Sequence, residues 1–243
     1  MGQIIYEPKG PALEYSPLAC NLWLSCTHKC TYCFGPAVLH KKPEEFFIEA
    51  PARKDILKKL EADCIEMQGD PRPVLLCFVC DAFQPHDAGP AVTRQALEIM
   101  EQYHMTAQIL TKGGTRAARD FDILRRNKWK FGTTLLLSEP DSRKEWEPGA
   151  ASIIDRIRAI CLAHEMGIFT WVSVEPVVDP DQALKVIEAL EALKVVDSWK
   201  IGKLNHRKER EMKIDWSKFL RDVRSLLKDR PYYIKTDLLG WGR

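Results

Sequence analysis

Cys26-Thr27-His28-Lys29-Cys30-Thr31-Tyr32-Cys33-Phe34 places three cysteines four and then three residues apart, just after the apolar run at 18–24. A thiolate is a soft ligand suited to an iron–sulfur cluster or to zinc. A ferredoxin-type cubane takes four cysteines. Three cysteines leave one iron open to a substrate, so this loop reads as a reactive site rather than a closed one.

The competing readings are a zinc site and plain burial. A structural zinc site closes with four ligands, and Cys77-Phe78-Val79-Cys80 offers a second pair. That pair sits in the run 73–80, which reads as one buried strand. Residues three apart on a strand face opposite sides, and no glycine or proline supplies a turn there. Cys77 and Cys80 are therefore not expected to chelate one metal.

Outward from the loop, strands and helices alternate. The first strand spans 18–24, with Cys20 as a core residue, and delivers the cysteine loop; His28 reads as a loop residue, since three thiolates need no imidazole. Helical spacing of Ile56, Leu57, Leu60, Cys64 and Met67 marks the first helix, ended by Gly69-Asp70-Pro71. Further strands are expected at 73–80, 106–111, 130–138, 168–174 and 198–204, with a short possible strand at 231–235. Helices are expected at 90–104, with Pro90 in its first turn, and at 116–127, 151–166, 181–193 and 215–228. Gly167 reads as a C-cap. Residues 1–17 read as an irregular lead-in, and a loop through Glu147-Pro148-Gly149 leads from the strand at 130–138 to the helix at 151–166.

Such alternation means βαβ units and a parallel sheet. Six units suit an open, partial (βα)6 barrel in a single α/β domain, with a core at about 18–204 and a C-terminal extension at about 205–243. A chain of this length is within reach of one barrel, and its 45% hydrophobic content is ordinary for a globular protein. Eight cysteines without a secretory signal fit a reducing cytoplasm. No apolar run approaches a membrane span. The net charge of +2 is uneven, since residues 200–243 hold 13 Lys and Arg against 6 Asp and Glu. That basic segment reads either as a solvated helix face or as a surface for nucleic acid.

Parallel βα architecture collects function at the carboxyl ends of strands. Polar residues stand there at Asp81, Lys112, Ser138, Glu175 and the turn 203–205. Taken alone, each has a structural reading. Asp81 can cap the following loop, Lys112 can begin a Lys-Gly-Gly turn, Ser138 can cap, and Glu175 can pair with a core lysine. Arg156 is expected to pair with Asp155 or with neighbours of Asp120, with a carboxylate or barrel-organising role as its alternative.

The motif Cys26-x-x-x-Cys30-x-x-Cys33, with Tyr32 and Phe34 beside its last cysteine, resembles the signature of the radical S-adenosylmethionine (radical SAM) superfamily. The resemblance implies a [4Fe-4S] cluster on the three cysteines, with S-adenosyl-L-methionine on the open iron. It implies reductive cleavage to a 5′-deoxyadenosyl radical, hydrogen abstraction from a substrate, and an electron donor such as flavodoxin or ferredoxin. Asp81-x-Phe83-Gln84-Pro85, Thr111-Lys112-Gly113, Arg119-Asp120 and Glu147-Pro148-x(7)-Arg156 are similar to the spore photoproduct lyase-like group, over about 18–180. By that resemblance Lys112 and Ser138 contact S-adenosylmethionine, Asp81 accepts from its amine, Phe34 packs near adenine and Glu175 lines the barrel mouth. In the lyase a cysteine on the second strand returns a hydrogen atom. Cys77 and Cys80 lie near that place but align with it only loosely, so thymine-dimer repair is not carried over. The alternative without catalysis is a zinc- or iron–sulfur-containing protein that binds nucleic acid through the basic segment.

Overall fold

The structure is a computed structural model, and it describes residues 3–88, 91–205 and 207–241. Pro90, expected in the first turn of a helix, and His206 of the loop after the sixth expected strand lie outside the described residues. One eight-stranded sheet runs in chain order: β1 (Ile5–Tyr6), β2 (Leu18–Cys20), β3 (Pro73–Leu76), β4 (Thr106–Thr111), β5 (Lys130–Thr134), β6 (Thr170–Val177), β7 (Ser198–Lys203) and β8 (Tyr232–Ile234). Strand β1 pairs antiparallel with β2, and every later pairing is parallel.

Along the chain the helices are α1 (Gly35–Val38), α2 (Pro43–Phe46), α3 (Ile56–Glu66), α4 (Val92–Gln102), α5 (Phe121–Arg126), α6 (Pro140–Trp146), α7 (Ile153–Glu165), α8 (Pro180–Leu193), α9 (Lys208–Glu211), α10 (Trp216–Leu226) and α11 (Thr236–Leu239). The strands β2 to β7 are each followed by a packing helix (α3, α4, α5, α7, α8 and α10), which makes the six expected units. Each helix buries one stripe, as in α3 through Ile56, Leu60 and Cys64 and in α10 through Trp216, Phe219, Leu220 and Val223. The hydroxyl of Ser152 and the carboxylates of Asp179 and Asp215 cap α7, α8 and α10 by accepting from backbone N–H groups three residues on. Gly167 closes α7 at φ 76°, a left-handed conformation that glycine adopts without strain.

Several expected boundaries move for local reasons. The run 73–80 is a strand only to Leu76. The side chain of Asn21 turns the chain there, because its Oδ1 accepts from Phe78 N (2.7 Å) and Val79 N (2.9 Å). A side-chain amide thus supplies the turn for which the sequence offers no glycine or proline. The expected helix at 116–127 is a 3-10 helix, Gly114–Asp120, running into α5. The strand expected at 130–138 ends at Thr134; Leu135 N still donates to Ser173 O of β6 (3.0 Å), and Leu136 and Leu137 stay buried beyond the strand. Helix α6 occupies the expected loop, with Pro140 at its first turn. Strand β6 runs beyond Glu175-Pro176, with a register shift between Val174 and Val177.

The lead-in is also ordered. After β1, residues 7–17 cross between the sheet's two edge strands, and Glu14 bonds to the β8 side. Its carboxylate accepts from Tyr233 Oη (2.9 Å) and Thr236 N (2.8 Å). Tyr15 points into the barrel, edge-on to Phe78 with ring centroids 6.0 Å apart.

Candidate functional site

The cysteine loop leaves the C-terminal end of β2 and is tied down by backbone bonds on several sides. Cys26 N donates to Phe46 O (3.0 Å), Thr31 N to Trp146 O (2.9 Å) and Gly149 N to His28 O (2.9 Å). The side chain of Gln84 bridges as well, accepting from Thr27 N (2.8 Å) and donating to Ser25 O (3.3 Å). At Gly149 a Cβ would sit 2.1 Å from Thr27 O, so only glycine allows this close approach. Cys26 and Cys30 are buried and Cys33 is half-buried. All eight cysteines are free thiols.

Burial pushes all three loop thiols up, Cys30 to about 12, with the nearby Lys112 ammonium opposing. Any metal or cluster held by these thiols would have to displace their protons. Cys33 Sγ accepts from Gly35 N at 3.3 Å. Phe34 follows, 41% exposed, with its ring 5.4 Å from that of Phe78. Among the described residues no three His, Cys, Asp or Glu side chains converge on a single metal ion.

Beside the loop, Arg156 and Glu147 form a fully buried ion pair (2.6 Å, 1% and 0% exposed). Glu147 also accepts from Tyr32 Oη. Burial opposes ionisation of Glu147, but Arg156 and Lys112 outweigh it and hold the carboxyl below its usual range. Arg156 was expected to pair with Asp155 or near Asp120. Asp155 instead accepts from Thr115 N (3.1 Å) and Oγ1 (2.7 Å), and Asp120 meets Arg119 (3.3 Å). Glu147, nine residues ahead in the chain, is brought to Arg156 by the turn after α6.

Asp81 takes the capping alternative. Its Oδ1 accepts from Phe83 N (2.8 Å) and Thr111 Oγ1 (2.6 Å), and its Oδ2 from Lys112 N (2.8 Å). His28 Nδ1 lies 3.4 Å from that second oxygen. Every lone-pair direction of this 6% exposed carboxylate is thus met from within the chain. Lys112 extends its ammonium to 5.6 Å from the Tyr32 ring centroid. Among the described residues, that ammonium makes no hydrogen bond. Ser138 presents the opposite case to Asp81: its hydroxyl oxygen is buried and has no hydrogen-bond partner.

Glu175 pairs with a core lysine. Its Oε1 accepts from Lys235 Nζ (2.8 Å), and Tyr15 Oη donates to its Oε2. Burial raises the Glu175 pKa. Gly202 on the next strand gives it room, since a Cβ there would meet the Glu175 carboxyl carbon at 2.5 Å. Lys200 lies one layer deeper, donating to the carbonyls of Glu14 (2.6 Å) and Tyr15 (2.9 Å). Cys77 is buried and accepts from Leu22 N (3.4 Å), whereas Cys80 is half-buried at the edge of the core. His28, expected as an ordinary loop residue, is 1% exposed and enclosed. Its burial had no signal in the sequence. Gln84 and Glu147 did have one, since both stand in motifs that the sequence singles out.

No family model and no curated protein matches the chain. In fold it is similar to SuiB of Streptococcus suis, solved with S-adenosylmethionine bound (TM-score 0.65, 12% identity, covering 92% of this chain and 52% of that one). It is similar also to a spore photoproduct lyase variant with AdoMet and a dinucleoside spore photoproduct bound (TM-score 0.64, 15% identity, 93% and 64%). Methylornithine synthase matches at TM-score 0.54 and 11% identity, over 76% of this chain and 53% of its own. The chain thus spans between half and two thirds of the length of these proteins. At such identities the likeness is one of fold: an α/β partial barrel of the kind found in radical SAM enzymes.

Proposed function

We propose that the chain is a radical SAM enzyme in which Cys26, Cys30 and Cys33 hold a [4Fe-4S] cluster and Lys112 and Ser138 help to seat S-adenosylmethionine. The observation that carries this reading is the Ser138 hydroxyl, buried without a partner at the strand ends that also present the cysteine loop. An unpaired buried hydroxyl costs free energy unless a ligand satisfies it. Two further features support a fit. The three free thiols share one loop anchored by backbone bonds on several sides, as suits a cubane, whose cysteines ligate separate irons. The Lys112 ammonium, with no hydrogen-bond partner among the described residues, suits a carboxylate.

When bound, the cluster and S-adenosylmethionine would supply a 5′-deoxyadenosyl radical that takes hydrogen from a substrate at the barrel mouth. The chain's residues bind, orient and exclude water. Phe34, exposed beside Cys33, offers a face for adenine. Asp81 acts by holding the backbone of Lys112 rather than by touching the cofactor. Glu175 and Tyr15, hydrogen-bonded to each other, help to fill the barrel interior. No hydrogen-donating role is assigned to Cys77 or to Cys80, although Cys80 lies within electrostatic reach of Cys26 and Cys33. The reading requires a one-electron donor, such as flavodoxin or ferredoxin, and leaves the basic C-terminal segment free for an anionic partner, nucleic acid included.

The test is anaerobic reconstitution with iron and sulfide beside a Cys30→Ala control, then reduction, addition of S-adenosylmethionine and quantification of 5′-deoxyadenosine. The expected result is product with wild type and none with Cys30→Ala. Stoichiometric zinc, no cluster absorbance and no product from wild type would favour a zinc-containing binding protein instead.

A further inference from the structure

His28 lies between two of the proposed cluster ligands, and the structure gives it two specific partners from elsewhere in the fold. Its Nδ1 is 3.4 Å from Asp81 Oδ2, at the end of β3. Its Nε2 is 3.4 Å from a terminal nitrogen of Arg116, on the 3-10 helix after β4. Arginine can only donate, so Nε2 is the acceptor and the ring proton sits on Nδ1, facing the carboxylate. Arg116 is itself held by its Nε–H donating to Phe83 O (3.0 Å). The imidazole is 1% exposed, and Gly149 N seals its backbone by donating to His28 O.

Asp81 carries the connection onward, because the oxygen that faces His28 also accepts from Lys112 N at 2.8 Å. One imidazole thus joins the cysteine loop, through a single carboxylate oxygen, to the backbone of the lysine proposed to hold the S-adenosylmethionine carboxylate. We propose that His28 is a positioning residue that sets the cysteine loop against Lys112, so that cluster and S-adenosylmethionine meet in register. This rests on the radical SAM reading above. Groups that orient the ligands of a site are typically worth 10–100-fold in affinity or activity.

The test compares reconstituted wild type with His28→Ala, His28→Asn and His28→Gln. The Asn amide nitrogen falls near the place of Nδ1 and can still donate to Asp81, whereas the Gln amide falls near Nε2 and cannot. Three readouts are taken: iron and sulfide content, the EPR spectrum of the reduced cluster before and after S-adenosylmethionine, and the Kd for S-adenosylmethionine. All variants keep the three cysteines and are expected to load iron. His28→Ala and His28→Gln are expected to lose the ligand-induced EPR change and to bind S-adenosylmethionine about tenfold more weakly or worse, with His28→Asn near wild type.

If His28→Ala fails to fold, the Asn and Gln contrast carries the result. A wild-type EPR response and Kd in His28→Gln would overturn the proposal. Equal impairment of the Asn and Gln variants would overturn it too, reducing His28 to a packing residue. A wild type that binds no cluster overturns the radical reading instead, and does so before any variant is compared.

Discussion

Arg156 and Glu147 show how a single buried contact sets a residue's importance. Both are wholly buried, so removing one leaves the other charge out of solvent and without its ionic partner. Arg156→Ala is expected to cost ~3–5 kcal/mol in urea unfolding, whereas the double variant Arg156→Met with Glu147→Gln should cost clearly less than the two single changes added. Additive losses would mean that the pair is not coupled. Lys200 makes a pH-dependent prediction. Burial and the neighbouring Lys235 lower its pKa from 10.5 to about 8. Between those values the unfolded chain binds the extra proton, so stability rises with pH there, while below pH 8 the full penalty is present. Relative to Lys200→Met, the wild type should therefore gain ~1–2 kcal/mol as pH rises from 8 to about 10.5, a figure reduced for partial exposure. A flat difference across that range would show that the ammonium is not penalised.

At the scale of elements, the decisive packing is between loops that sequence periodicity does not describe. The turn after α6 sits directly on the cysteine loop, and Gly149→Ala would force its new Cβ against backbone rather than a movable side chain. Overpacking of this kind costs ~1–3 kcal/mol. Iron content after reconstitution of Gly149→Ala should fall well below wild type while β-sheet content is kept; full loading would show that the loop yields freely. The lead-in closes the sheet's open side through Glu14, whose carboxylate serves Tyr233 and Thr236. Glu14→Ala should speed amide exchange at 232–239 and leave β4 and β5 protected, because only the β8 edge loses its tie. Uniform acceleration would mean that the strap supports the whole barrel.

For the whole molecule, one sheet running without a break from β1 to β8 argues for a single cooperative unit. We propose that the chain is one domain, and that its metal-free form unfolds in one transition, coincident by far-UV circular dichroism and tryptophan fluorescence. Trp23, Trp129, Trp171, Trp199 and Trp216 report on it from separate parts of the fold, all buried. Two separated transitions would divide the barrel. Among the described residues no helix is long and apolar enough to cross a membrane. Among the described residues, the basic excess from residue 200 on lies on β7, α9, α10 and the loops that follow them. In part it is consumed internally, since Lys203 pairs with Glu211 and Lys235 with Glu175.

The amino-acid sequence by itself determined the alternation of strands and helices, the placing of the cysteine loop after the first parallel strand, and the polar residues at strand ends. Each of these follows from local spacing: period-3.6 stripes, short apolar runs, and a C-cap at Gly167. Tertiary structure alone decided the partners. Arg156 found Glu147 rather than Asp155, Asp81 turned inward to His28, Thr111 and Lys112, Glu175 met Lys235 from the far edge of the sheet, and Asn21 bent the chain at Cys77. Ser138 alone among the strand-end candidates kept a buried group unpaired. Hydrogen bonds and ion pairs depend on which groups closure of the barrel brings within about 3 Å of one another, and spacing along the chain carries no record of that distance.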